Sequence, residues 1–239
     1  MIARLHDCTI ARLHDCTIPS DHMFDIHNIL FEALGYRMSL LELLATLTGL
    51  AAVWFAARSN ILTWFFALVN AVLFFVLFYQ VNLYSAMALQ VFFFCNSLYG
   101  WYNWRRDERG EKKPVTLLAH RQRVIWLSVI MAGAIALGTV MKHINTWLPD
   151  LFPERATFVY TDAMIAVMSI VASILLARLK LENWILWILI NVMSVAMYAM
   201  RGVMLVSIQY VVFFFMATYG FVEWKRKVHV IHNLNKFSS

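Results

Sequence analysis

A chain of 239 residues that is 62% hydrophobic and only 14% charged is no ordinary soluble domain, where about half the residues are apolar and about a quarter charged. Mean hydropathy is +0.66, and the long apolar runs are continuous rather than alternating, which favours polytopic helices over a β-barrel. Net charge is +6, and in a membrane protein the placement of Lys and Arg carries the information.

The chain opens on "ARLHDCTI" at 3–10, repeated letter for letter at 11–18. Its His, Asp and Cys are adjacent and lack the spacing of zinc motifs. The duplication reads as a start-site artefact, and neither a metal nor a cofactor is expected. No cleavable signal peptide is expected either. Three cysteines give no disulfide framework, and Cys95, inside an apolar run, is expected in the core. The segment 24–36 places apolar residues at Phe24, Ile29, Leu30, Phe31 and Leu34. It is too short and polar to span, and it suits an amphipathic helix on the membrane surface, capped by Ser20 or Asp21. Residues 1–38 therefore form an N-terminal extension.

Seven runs approach the roughly 20 apolar residues a spanning helix needs: 39–57, 62–80, 83–104, 124–142, 161–178, 183–200 and 203–224. An odd number puts the termini on opposite sides. The loop after the third run, the tail after the seventh and the links after the first and fifth hold fourteen of the twenty Lys and Arg residues. Basic residues mark the cytoplasmic side, so the N-terminus is expected outside and the C-terminus inside. Anionic lipid accounts for these charges, and no nucleic-acid partner is called for.

A shift of 120 residues aligns the chain with itself. Ala57-Arg58 falls on Ala177-Arg178, Trp64 on Trp184, and Phe93-Phe94 on Phe213-Phe214. Tyr99-Gly100 falls on Tyr219-Gly220, "WRR" at 104–106 on "WKR" at 224–226, and Glu42 on Asp162. Asn70 and Asn191 are off by one. Two parallel three-helix bundles (39–104 and 161–226) are thus expected. A basic loop, linker helix and outer loop (105–160) join them, and a cytoplasmic tail (227–239) follows. The unpaired fourth helix restores the direction of the second bundle, an arrangement seen in transporters.

The stretch "NWILWILIN" at 183–191 sets Trp184, Trp187 and Asn191 three and four apart, on one helix face. Other intramembrane amides are Asn70, Gln90, Asn96 and Gln209. Polar groups at such depth face the bundle interior or a wet cavity. They serve either a ligand or interhelical hydrogen bonding, and Trp184 alone would also suit an interfacial belt. Gln90 and Asn96 lie 240° apart on a regular helix at 100° per residue, so both need not face a ligand. Glu42 and Asp162 are read as outer helix caps, and Gly100 and Gly220 as points of close packing or hinging.

"YGWYNW" at 99–104 and the Trp-x-x-Trp-x-x-x-Asn pattern of Trp184, Trp187 and Asn191 resemble the PnuC family of bacterial nicotinamide riboside transporters. The resemblance spans about 39–226. It implies an all-α, three-plus-one-plus-three fold akin to a full-length SWEET transporter, located in the inner membrane. It also implies passive uptake of nicotinamide riboside, a vitamin B3 form used in NAD biosynthesis, trapped by a cytoplasmic riboside kinase. Homo-oligomerisation is left open. The substrate fits the stripe. A pyridinium cation over an indole face gains about 0.5–2 kcal/mol, and an amide one turn on suits a carboxamide or ribose hydroxyl. Trp184, Trp187, Asn191, Asn70, Gln90, Asn96 and Gln209 are the candidate substrate-binding residues. A related nucleoside or vitamin is an alternative cargo, and a heptahelical receptor an alternative class. The direct repeat argues against a receptor. No HExxH, Gly-x-Ser-x-Gly or aligned His–Asp pair in the spans suggests an enzyme.

Overall fold

The computed structural model describes residues 29–33, 36–80, 84–105, 113–147 and 158–237. The duplicated octapeptide, residues 24–28, and Arg106, Arg109 and Lys112 of the basic loop lie outside them.

The expected surface helix over 24–36 is corrected in its described part. Residues Ile29–Ala33 (β1) and Tyr36–Ser39 (β2) pair as an antiparallel hairpin. The register sets Glu32 opposite Arg37 and Ala33 opposite Tyr36. Two causes outweigh the helical spacing. At 13 residues the segment lies within the roughly 12–15 below which an isolated helix is marginal. Gly35 is poor in a helix and favoured in short hairpin connections.

Seven helices follow among the described residues: α1 Leu40–Ala57, α2 Leu62–Gln80, α3 Tyr84–Trp104, α4 His120–Trp147, α5 Val159–Ala177, α6 Glu182–Met200 and α7 Met204–Phe237. Each of the seven expected spans coincides with one of them. Six are long and apolar enough to cross a membrane. The seventh, α3, is diluted by Gln90, Asn96 and Asn103. β2 runs directly into α1, where Ser39 caps the helix by accepting the Glu42 N–H at 3.2 Å. This is the Ser-x-x-Glu spacing of a capping box.

α1 packs on α2 and α2 on α3; α5 packs on α6 and α6 on α7. The two groups meet where α1 packs on α7 and α3 on α5, and α4 packs on α5. Polarity is inverted relative to a soluble fold. Val124, Ile125, Leu127 and Ile135 of α4 are exposed, as are Phe65, Leu189 and Phe215, while Asn96, Asn183, Asn191 and Ser194 are buried. Apolar side chains face lipid, and polar ones find partners or a cavity inside. Cys95 is exposed rather than in the core, because its neighbour Asn96 takes the inward face and one residue turns a helix by about 100°.

The α1–α2 and α5–α6 corners are the same turn, 120 residues apart. Ser59 and Leu179 both adopt a left-handed conformation, with φ 54° and 55°. The Ser59 N–H donates to Ala56 and that of Leu179 to Leu176, at 2.9 and 3.0 Å. The Asn60 N–H donates to Phe55 and that of Lys180 to Leu175, both at 2.9 Å. The segment before α4 hydrogen-bonds to the second corner. The Thr116 N–H donates to Leu179 and the Leu181 N–H to Thr116, both at 3.0 Å. Glu182 accepts the Leu118 N–H at 2.9 Å and pairs with Arg123 at 3.1 Å.

Candidate functional site

Four tryptophans close one end of the helix bundle. Trp64 meets Trp104 edge-on, with centroids 5.2 Å apart and planes at 87°. Trp184 meets Trp224 the same way, at 5.7 Å and 84°. Trp104 and Trp224 join the two pairs at 5.9 Å. The inner two rings are hydrogen-bonded crosswise. The Trp104 indole of α3 donates to the Ala177 carbonyl of α5 at 3.1 Å, and that of Trp224 on α7 to the Ala56 carbonyl of α1 at 3.0 Å. The outer two are wedged against glycines. A Cβ on Gly100 would overlap the Trp64 ring, and one on Gly220 would lie 2.6 Å from that of Trp184. Only glycine admits an indole this close to a helix backbone. Among the described residues, the buried Trp64 and Trp184 N–H groups have no partner.

Above this floor lies a cavity of about 280 Å³ lined by α1, α2, α3, α5, α6 and α7, with no lining residue from α4. Trp184, Trp187 and Asn191 all line it. The stripe therefore faces one space, with its members at different levels. Trp184, only 1% exposed, belongs to the floor, whereas Trp187 is partly buried and forms wall. Asn191 follows one turn on. No hydrogen bond of the described residues engages its amide, which leaves two donors and an acceptor for a ligand.

Asn70 and Asn96 also line the cavity, and each spends a donor on a neighbouring helix. The Asn70 amide donates to the Ala45 carbonyl at 2.6 Å, and that of Asn96 to Ser173 at 3.1 Å. Both act as interhelical ties, with their carbonyl oxygens left over as acceptors. Gln90 and Gln209 are not among the lining residues. Trp64, Phe93, Phe213 and Tyr210 do line it and were not singled out as site residues. Trp64 and the phenylalanines stood in the 120-residue self-match; Tyr210 had no such signal. The lining groups are apolar, aromatic, amide and hydroxyl, suited to a flat, weakly polar or cationic small molecule.

The two ends of the bundle differ in charge. At the tryptophan end, Lys227 donates to the Arg58 carbonyl at 3.0 Å and Lys180 to Thr116 at 2.8 Å. At the far end Arg201 pairs with Asp162 at 2.8 Å and lies over the Phe158 ring. Asp162 is thus an ion-pair partner as well as a first-turn residue of α5. Tyr99 and Tyr219 are both exposed, and Tyr219 stacks on Trp54 at 5.7 Å.

The family of the nicotinamide mononucleotide transporter matches residues 39–226, which contain every residue that lines the cavity. The chain belongs to this family. The nicotinamide riboside transporter PnuC of Escherichia coli (strain K12) is 34% identical over 225 residues, covering 84% of this chain and 93% of that one. PnuC of Neisseria mucosa is 26% identical over 80% of this chain and 73% of its own length. The riboflavin/roseoflavin transporter RibM of Streptomyces davaonensis is 24% identical over 77% and 83%. A crystal structure of the vitamin B3 transporter PnuC shares the fold, with a TM-score of 0.59 and 22% identity over 79% of this chain and 82% of that one. As a member of the nicotinamide mononucleotide transporter family, the chain is a multi-pass membrane transporter and not an enzyme.

Proposed function

We propose that the chain carries nicotinamide riboside across the bacterial inner membrane by facilitated diffusion, and that a cytoplasmic kinase phosphorylates the riboside and prevents its return. The observation that carries this is the meeting of Trp187 and Asn191 in one cavity between α1–α3 and α5–α7. An indole face attracts the pyridinium, and the amide meets the carboxamide or ribose. The volume, about 280 Å³, is near the lower end of the roughly 300–1,000 Å³ of small-molecule pockets. It suits one aromatic ring and a ribose better than the tricyclic ring of a flavin. Among the described residues no carboxylate, histidine or basic side chain lines the cavity, and coupling to protons calls for such a group on the path.

In this reading α1–α3 and α5–α7 are parallel SWEET-like repeats joined by α4. The identical corners and the crosswise tryptophan bonds support it. In proteoliposomes, labelled nicotinamide riboside is expected to equilibrate without a proton or sodium gradient, and excess riboflavin is expected not to compete. Accumulation above equilibrium driven by either ion, with no kinase inside, would reject uniport. Competition by riboflavin would move the cargo towards flavins.

The same reading puts the tryptophan end in the cytoplasm and the Asp162–Arg201 end outside. Single cysteines introduced in the 105–123 loop are expected to react with an impermeant maleimide only after cells are permeabilised. Labelling of intact cells would reverse the orientation.

A further inference from the structure

The two walls of the cavity are related by the 120-residue shift, and one pair breaks the relation. Trp64 and Trp184 sit at the same level, since each packs on an inner tryptophan and on an equivalent glycine, Gly100 or Gly220. Three residues further on stand Ala67 on α2 and Trp187 on α6, and both line the cavity. With a rise of about 1.5 Å per residue, each lies about 4.5 Å above its floor tryptophan. They therefore share one depth on two different walls. One wall presents an indole and the other only a methyl group.

We infer that Ala67 sets cargo size, its missing ring leaving the slot in which a flat cationic heteroaromatic ring lies against Trp187. This rests on the proposed stacking role of Trp187 and adds the opposite wall. An aromatic ring is about as thick as a van der Waals contact, about 3.5–4.0 Å between carbons. A side chain projecting from position 67 at this level would occupy the same space. The near two-fold shape also makes the arrangement reversible: an indole on α2 facing an alanine on α6 would offer an equivalent slot from the other side.

The test is a swap. Nicotinamide riboside binding to purified protein is measured by calorimetry for the native chain, Ala67→Trp, Trp187→Ala and the double variant. Ala67→Trp is expected to weaken binding by more than about tenfold, as overpacking fills the slot. The double variant is expected to bind more tightly than either single one. Ala67→Leu, a smaller intrusion, is expected to weaken binding at least about fivefold and serves where the tryptophan variant does not fold. Native affinity in folded Ala67→Leu or Ala67→Trp would overturn the inference. So would a double variant whose loss is the product of the two single losses. The underlying stacking role fails separately, through a Trp187→Ala protein that binds as well as the native one.

Discussion

Replacing Gly220 or Gly100 with alanine is expected to lower the melting temperature of the purified transporter by several degrees, and replacing either with leucine to leave no monodisperse protein. Each glycine lies under the ring of a buried tryptophan, where a Cβ would overlap Trp184 or Trp64. Those rings cannot retreat, because Trp184 is held by Trp224 and Trp64 by Trp104. Overpacking of this kind costs about 1–3 kcal/mol. The helix-propensity gain of alanine over glycine, about 0.5–1 kcal/mol, offsets part of it. For a chain of this size each net kcal/mol moves the melting temperature by about 2–4 °C. Shrinking the obstructing ring provides the control. Trp64→Phe should restore part of the stability lost in Gly100→Ala, and Trp184→Phe part of that lost in Gly220→Ala. Two alanine variants as stable as the native chain would mean that the rings are loosely seated.

Trp187→Ala is expected to weaken nicotinamide riboside binding about five- to thirtyfold, the equivalent of about 1–2 kcal/mol for one lost ring contact. Trp187→Phe should lose less, because phenyl keeps a π face with smaller area and quadrupole. Asn191→Leu roughly keeps volume and removes the hydrogen-bonding end of the stripe, so it too should bind more weakly. Calorimetry on variants that elute as single species with native helicity provides the measure. Native affinity in both Trp187→Ala and Asn191→Leu would make the stripe packing and put the cargo elsewhere. The uncharged dihydro form of the riboside separates the charge from the stacking. It should bind more weakly than the cation, and equal affinity would remove the cation–π contribution.

The helices were legible because a spanning run of about 20 apolar residues has few other readings. The two corners were not, since nothing in Ser59 announces a left-handed residue, and Leu179 is a poor candidate for one. The segment at 24–36 misled because helical spacing and a hairpin compete over so short a stretch. Within the cavity, the spacing of Trp184, Trp187 and Asn191 was enough to set them on one face. The identity of an amide says that it needs a partner and not which one. Asn70 and Asn96 found backbone carbonyls on other helices, and a carbonyl leaves no mark in a sequence. For the same reason Trp104 and Trp224 stood out only as members of the matching "WRR" and "WKR" stretches, although they tie α3 to α5 and α7 to α1.

Those two ties bear on how such a chain tolerates mutational drift. Each joins one side chain to the backbone, Trp224 to the Ala56 carbonyl and Trp104 to those of Leu176 and Ala177, so no substitution at these acceptor positions can delete the acceptor; only added bulk can displace it. A tie between two side chains would need paired changes in both halves to survive divergence. Here each half is free to change its own sequence as long as one tryptophan and one small residue persist at the crossing. Two groups of three helices joined in this way can therefore differ in their walls, as they do at Ala67 and Trp187, while the floor that joins them keeps its form.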